Sequence, residues 1–256
     1  LLHLQMGRAK EATSHYRAAL RQRPDSALAH FNLATALMTA AEPTDAASSY
    51  LEALRLDPDS APAHNGLGNV LVQLGRPDEA LTHYQAAVGA DPRHAGAHNN
   101  LGRLLMSRGE LPAARSAFDT AIALNPRLPD PHFNLGLLLQ ALDDAPAALR
   151  HFQSAVSLRP DWDRALTALG WLLGTSGDKS VRDPRKAIEA TERAVVVTGR
   201  RSADALDALA AAYASAGQFD RALSTQREAL ALAAAPAQAA MRERYALYEA
   251  GRPYRE

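Results

Sequence analysis

The sequence predicts an all-α fold, an α-solenoid of about seven helix-turn-helix repeats closed by a C-terminal capping helix, and three observations predict it. The first is a proline that returns every 34 residues, at Pro24, Pro58, Pro92, Pro126 and Pro160. The second is that the apolar and small residues between these prolines keep the same step. The third is a composition rich in Ala, Leu, Arg, Glu and Gln, with few β-branched runs, which favours helix throughout. A fixed period of this length is the mark of stacked supersecondary units rather than of one globular core.

Each unit divides into two helices. In the first, a Leu pair four residues apart recurs as Leu33 and Leu37, Leu67 and Leu71, Leu101 and Leu105, Leu135 and Leu139, and Leu169 and Leu173. Directly after the first Leu of each pair stands a small residue: Ala34, Gly68, Gly102, Gly136 or Gly170. In the second helix Ala, an aromatic and Ala again follow at steps of four and three, as in Ala114, Phe118 and Ala121, which is one face of an α-helix. The aromatic position reads Tyr16, Tyr50, Tyr84, Phe118 and Phe152. A small residue separates the helices at Gly75, Gly109 and Gly177, and Pro43, Pro77, Pro112 and Pro146 open the second helix, where a missing N–H costs nothing. The period-34 prolines then stop it. Small residues let two helix axes approach while Leu, Tyr and Phe fill the gaps, so these positions read as core.

Leu-Gly, aromatic, Ala and Pro in this order and at this period resemble the tetratricopeptide repeat, over nearly the whole chain. The resemblance implies a right-handed superhelix whose first helices line a concave groove. It departs from the usual pattern where His30, His64, His98 and His132 replace the large aromatic early in the first helix, keeping a planar ring there. The organisation expected is a partial first repeat over 1–26, with Gly7 marking its inter-helix loop, then four regular units over 27–162. A degenerate repeat with an insertion at 178–183 follows over 163–202, a last repeat over 203–235, and a capping helix and tail over 236–256. The segment from Trp171 onward resembles the end of many bacterial repeat proteins. An uncapped solenoid end exposes apolar surface, so Leu1, Leu2 and Leu4 point to preceding sequence or to self-association through this end.

Charge and motifs narrow the function. The 28 basic and 28 acidic residues cancel, and like charges do not cluster, so the chain carries no footprint for nucleic acid or an anionic membrane. Apolar runs such as Leu135 to Leu139 are too short to span a bilayer, and the segment reads as soluble. Without Cys there is no disulfide, thiolate nucleophile or Cys-ligated metal. The four period-34 His stand one repeat apart and cannot converge on one ion, so neither metal nor cofactor is expected. His94 and His98 are four apart, but His94 falls in a turn with no carboxylate nearby. Asp143 and Asp144 fall at a solvated turn, no phosphate loop is present, and no nucleophile–base set appears, so catalytic residues are not expected.

Asparagines remain that core packing does not call for. Asn32, Asn100 and Asn134 each stand one residue before the first Leu, with Gly66 at that place in the third unit and Asn65 and Asn69 flanking it. They are similar to the Asn ladder of the O-linked N-acetylglucosamine transferase repeats, which implies a grip on the backbone of an extended chain, since a carboxamide both donates and accepts. Against the carboxylate clamp of chaperone-binding repeats only the amides survive: Asn69 and Asn100 match, while Asn65, Asp130 and Asn134 replace its cations, leaving Asp130 without a compensating charge. Phe31, Arg103, Phe133 and Leu137 add apolar and charged contacts to the same groove. The expectation is a non-catalytic scaffold that binds a protein or peptide segment, the alternative being the substrate-recognition arm of a larger enzyme such as a glycosyltransferase.

Overall fold

The computed structural model describes residues 2–256, with side chains from Gly7 onward, so the surface expected at Leu1, Leu2 and Leu4 lies outside the described residues. It contains fourteen helices and no strand among the described residues. The chain divides into two compact units, Leu1–Pro126 and Arg127–Glu256.

The first unit holds α1 (Leu2–Gln22), α2 (Ala27–Thr39), α3 (Pro43–Leu56), α4 (Ala61–Gln73), α5 (Pro77–Ala90), α6 (Ala95–Ser107) and α7 (Leu111–Leu124). The helices pack as hairpins, α2 on α3, α4 on α5 and α6 on α7, and each hairpin packs on the next. The loop expected at Gly7 is absent, because α1 runs through it. The helix continues unbroken across this position, with Gly7 inside it.

Period-34 positions translate directly into packing. Tyr84 and Phe118 are wholly buried, each contributing about 1.5–3 kcal/mol by area. The small residue in the first helix exists for them: a Cβ at Gly68 would lie 2.5 Å from the Tyr84 ring, and one at Gly102 would lie 2.8 Å from Phe118. The proline of each repeat sits two residues past the second helix, where its carbonyl has a further use. The ring of His30 donates from Nε2 to the Pro24 carbonyl at 2.9 Å, His64 does so to Pro58 at 3.0 Å, and His98 to Pro92 at 2.9 Å. The His in place of the usual aromatic therefore ties the inter-repeat turn to the next helix. His94 caps α6, its Nδ1 accepting from the Ala97 amide at 3.1 Å.

The second unit holds α8 (Pro129–Ala141), α9 (Ala145–Leu158), α10 (Asp163–Thr175), α11 (Pro184–Val197), α12 (Ala203–Ser215), α13 (Phe219–Leu232) and α14 (Ala235–Glu249). The same packing recurs: Phe152 is wholly buried, and a Cβ at Gly136 would lie 2.6 Å from its ring. Residues 176–183 link α10 to α11 and bury Val181. Asp143 adopts a left-handed turn conformation (φ 59°), and Asp144 caps α9 by accepting from the Ala147 amide at 3.1 Å. The final helix, α14, packs on α13 and α12 through the buried Met241 and Tyr248. Its Arg244 grips the buried Asp207 with two bonds, of 2.6 and 3.0 Å, and Gln226 donates to the same carboxylate at 2.6 Å.

Candidate functional site

Within the first unit the first helices of successive repeats touch one another, α2 with α4 and α4 with α6, which puts them on the inner side of the stack. The candidate residues of this unit stand on them: Phe31 and Asn32 on α2, Asn65 and Asn69 on α4, Asn100 and Arg103 on α6. Two of the amides meet. Asn100 Nδ2 donates to Asn65 Oδ1 at 2.9 Å across the α4–α6 seam. Gly66 itself is required by packing, since a Cβ there would lie 2.5 Å from the Tyr50 ring. Asn32 is half-buried and its amide makes no protein hydrogen bond among the described residues.

Asn69 corrects the expectation that core packing has no use for these amides. Its Oδ1 accepts the Tyr84 hydroxyl at 2.8 Å, so it satisfies a buried tyrosine. Burial raises the Tyr84 pKa, an effect that the neighbouring Arg103 partly offsets. Tyr84, Asn100 and Arg103, with Val72, Leu104 and Ser107, line an open hollow of about 240 Å³. Phe31 is half-buried and packs edge-on against Tyr50, ring centroids 5.8 Å apart, so it belongs partly to the core.

The second unit carries Asp130, Phe133, Asn134 and Leu137 on α8. Asp130 is not left without a cation: Arg159 Nη2 bonds it at 2.9 Å. Arg159 ends the second helix of the same repeat, and its long side chain reaches back to α8, a contact the repeat phase does not reveal. Phe133 is almost fully buried, 4.7 Å from Trp162 and beneath the Arg164 guanidinium at 5.2 Å. With Leu137 it forms one wall of a hollow of about 520 Å³ that also takes in Gln140, Asp163, Arg164, Thr167, Trp171, Asp204, Asp207 and Arg244. Asn134 is half-buried on the same helix.

Two features lay outside the sequence-derived site. His64 and His83 face each other at 2.9 Å through Nδ1, and His132 and His151 at 3.1 Å. Because His64 Nε2 must carry hydrogen to bond Pro58, its Nδ1 is the acceptor and His83 is the donor. Burial, then the nearby His64, lowers the His83 pKa. The spacing of 19 residues, repeated two units later, was the available signal. Among the described residues no three His, Asp or Glu side chains come together as metal ligands, and no helix is long and apolar enough to cross a membrane.

Helical hairpins stacked in register, with polar and aromatic side chains on the inner helices and open hollows between them, define an all-α repeat solenoid. Sequence models of the tetratricopeptide repeat match residues 1–61 and 65–129, 129–154, and 205–240, well over half of the chain. The chain belongs to the tetratricopeptide-repeat family. No curated protein matches it in sequence. Among solved structures it is similar to a chain of the APC/C hetero-tetramer Cut9-Hcn1, with TM-score 0.79, 18% identity, and 95% of this chain and 47% of that one covered. It therefore spans about half of that relative. It is also similar to Pseudomonas aeruginosa pilF, with TM-score 0.73, 22% identity and coverage of 87% and 97%. A third similar structure is YrrB, a TPR protein with an unusual peptide-binding site, with TM-score 0.56, 25% identity and coverage of 76% and 97%. Repeats of this family bind protein or peptide partners.

Proposed function

We propose that this chain is a non-catalytic scaffold that holds an extended protein or peptide segment against its first helices. The observation that carries the reading is the Asn65–Asn100 pair, two carboxamides from neighbouring repeats within 2.9 Å on the inner helices. Each carboxamide combines a donor with an acceptor, so a row of them suits a peptide backbone without reading its side chains. In the first unit Asn32, Asn65, Asn100 and Arg103 are the contacts, and Asn69 is assigned to support Tyr84. In the second unit Phe133 and Leu137 contribute apolar surface beside Asn134, and affinity comes from many modest contacts with a few aromatic anchors. YrrB, among the similar structures, carries a peptide-binding site, which favours the same use here.

The test is site-specific photo-crosslinking. A photoreactive residue at Arg103 or Leu137 is expected to capture partner protein in lysate, whereas one at Ser48 or Thr82, exposed on second helices, is not. Adducts from the second-helix positions alone would overturn the reading.

A further inference from the structure

After α14 the chain turns at Gly251 (φ 66°) and runs without helix or strand over residues 252–256. This short stretch lies back against the end of α10. The Glu256 amide donates to the Thr175 carbonyl at 3.0 Å, and Arg255 Nη1 donates to the Gly174 carbonyl at 3.1 Å, satisfying two carbonyls that a helix end leaves without partners. The Glu256 side-chain carboxylate is held at both oxygens. The Trp171 indole Nε1 donates to Oε1 at 2.7 Å and the Gln140 amide donates to Oε2 at 3.2 Å. The Tyr254 ring sits 5.7 Å from the Trp171 ring, and the Arg244 guanidinium lies 5.1 Å from the Trp171 ring and 5.6 Å from the Tyr254 ring. Gly177 leaves room for the backbone, since a Cβ there would lie 2.9 Å from the Glu256 carbonyl oxygen.

These are the contacts of a peptide site, made by the protein's own chain: one main-chain bond, an aromatic ring packed at a tilt on another, and a carboxylate with a donor for each oxygen. Gln140, Trp171 and Arg244 also line the 520 Å³ hollow beside it. We infer that Gln140, Trp171 and Arg244 form a recognition subsite for an extended peptide bearing an aromatic residue and, two positions on, a carboxylate, and that residues 254–256 fill it as an internal ligand. The inference rests on the reading of the inner helices as a peptide-binding face and supplies the chemistry of one end of it. The occupant itself states that chemistry, as Tyr254, Arg255 and Glu256. Its one backbone bond, the Arg255 bond to Gly174, the Tyr254 ring contact and the bonds to the carboxylate of the exposed Glu256 are all contacts that a competing peptide of the same chemistry can replace, so it is displaceable. A tethered segment competes at an effective concentration on the order of millimolar, so a partner must either outcompete it or meet a chain whose tail is released.

The experiment uses the full chain and a labelled peptide of sequence Gly-Arg-Pro-Tyr-Arg-Glu, blocked at both ends, read by fluorescence anisotropy. Releasing the internal segment with Tyr254→Ala and Glu256→Ala is expected to raise the affinity for the peptide by at least about 10-fold over the parent chain. Adding Trp171→Phe keeps the ring but removes the N–H, and is expected to weaken binding by about 10-fold, the scale of one charge-assisted hydrogen bond. Replacing Glu by Gln in the peptide should do the same. Gln140→Leu, at a half-buried surface position, is expected to weaken binding in the same direction and guards against a packing effect of the Trp171 change. Equal affinity of parent and released chain, binding indifferent to Trp171, Gln140 and the peptide carboxylate, or no binding by any variant would overturn the inference. In each of these cases partner adducts from Arg103 or Leu137 would leave the broader scaffold reading standing.

Discussion

Replacing Gly136 by Ala tests the interlock on which the repeats are built. The added Cβ would lie 2.6 Å from Phe152 Cε1 and 2.7 Å from Cδ1, and this ring is wholly buried, with no room to withdraw. Overpacking of this kind costs about 1–3 kcal/mol. A helical Gly→Ala change returns up to about 1 kcal/mol of backbone propensity. The net expectation is a loss of about 1–2 kcal/mol, since the clash outweighs the propensity gain. Gly89, near the end of α5 with nothing near its Cβ position, is the matched control. Gly89→Ala keeps only the propensity term and should raise stability by up to about 1 kcal/mol. Urea unfolding followed by circular dichroism reads both as midpoint shifts of opposite sign, and trimming the ring with Phe152→Leu should make Gly136→Ala less costly than in the parent. A Gly136→Ala chain as stable as Gly89→Ala would refute the packing argument.

Three further outcomes follow from side-chain contacts. Asn69→Ala leaves the buried Tyr84 hydroxyl without its acceptor and should cost about 1–2 kcal/mol in urea unfolding, with Tyr84→Phe restoring part of the loss in the Asn69→Ala background. Arg244→Met leaves the Asp207 carboxylate, only 9% exposed, without its cation and with only the Gln226 amide bonded, and should cost about 3–5 kcal/mol, while Arg244→Met with Asp207→Leu should cost much less. The His83 pKa is lowered in the folded chain by burial and by His64, against a smaller opposing effect of Glu79. The unfolded chain therefore binds protons more readily, so stability is fully present above the ordinary His value of about 6.5 and is lost as pH falls below it. Thermal melts at pH 7.5 and 5.5 should show this loss, and His83→Phe should reduce it.

What the period reveals is backbone and core. Leu67, Gly68 and Tyr84 keep their phase because a helix crossing leaves one place for a ring and no place for a Cβ facing it, so the repeat dictates the packing. Contacts made by long polar side chains obey no such constraint. Arg159 reaches Asp130, Arg17 reaches Asp45 and Arg200 reaches Glu228, pairings set by rotamer and reach rather than by phase. Asn69 reads as a groove residue by its place beside Asn65 and Asn100, yet one helical turn from Asn65 it bonds a tyrosine, while Asn65 and Asn100 bond each other. The break expected at Gly7 was read from the repeat phase, whereas a helix ends only where competing packing repays the lost hydrogen bonds. The fold of residues 252–256 against Trp171 has no counterpart in the period at all.

The most direct test of the scaffold account is to compare partner retention by the parent chain and by a chain carrying Asn32→Ala, Asn65→Ala, Asn100→Ala and Asn134→Ala, with Asn69 kept so that Tyr84 remains satisfied. Circular dichroism confirms the helical content of both, and immobilised chains are challenged with lysate. The account predicts a partner held by the parent and lost by the amide-free variant. The same proteins retained equally by both would contradict it.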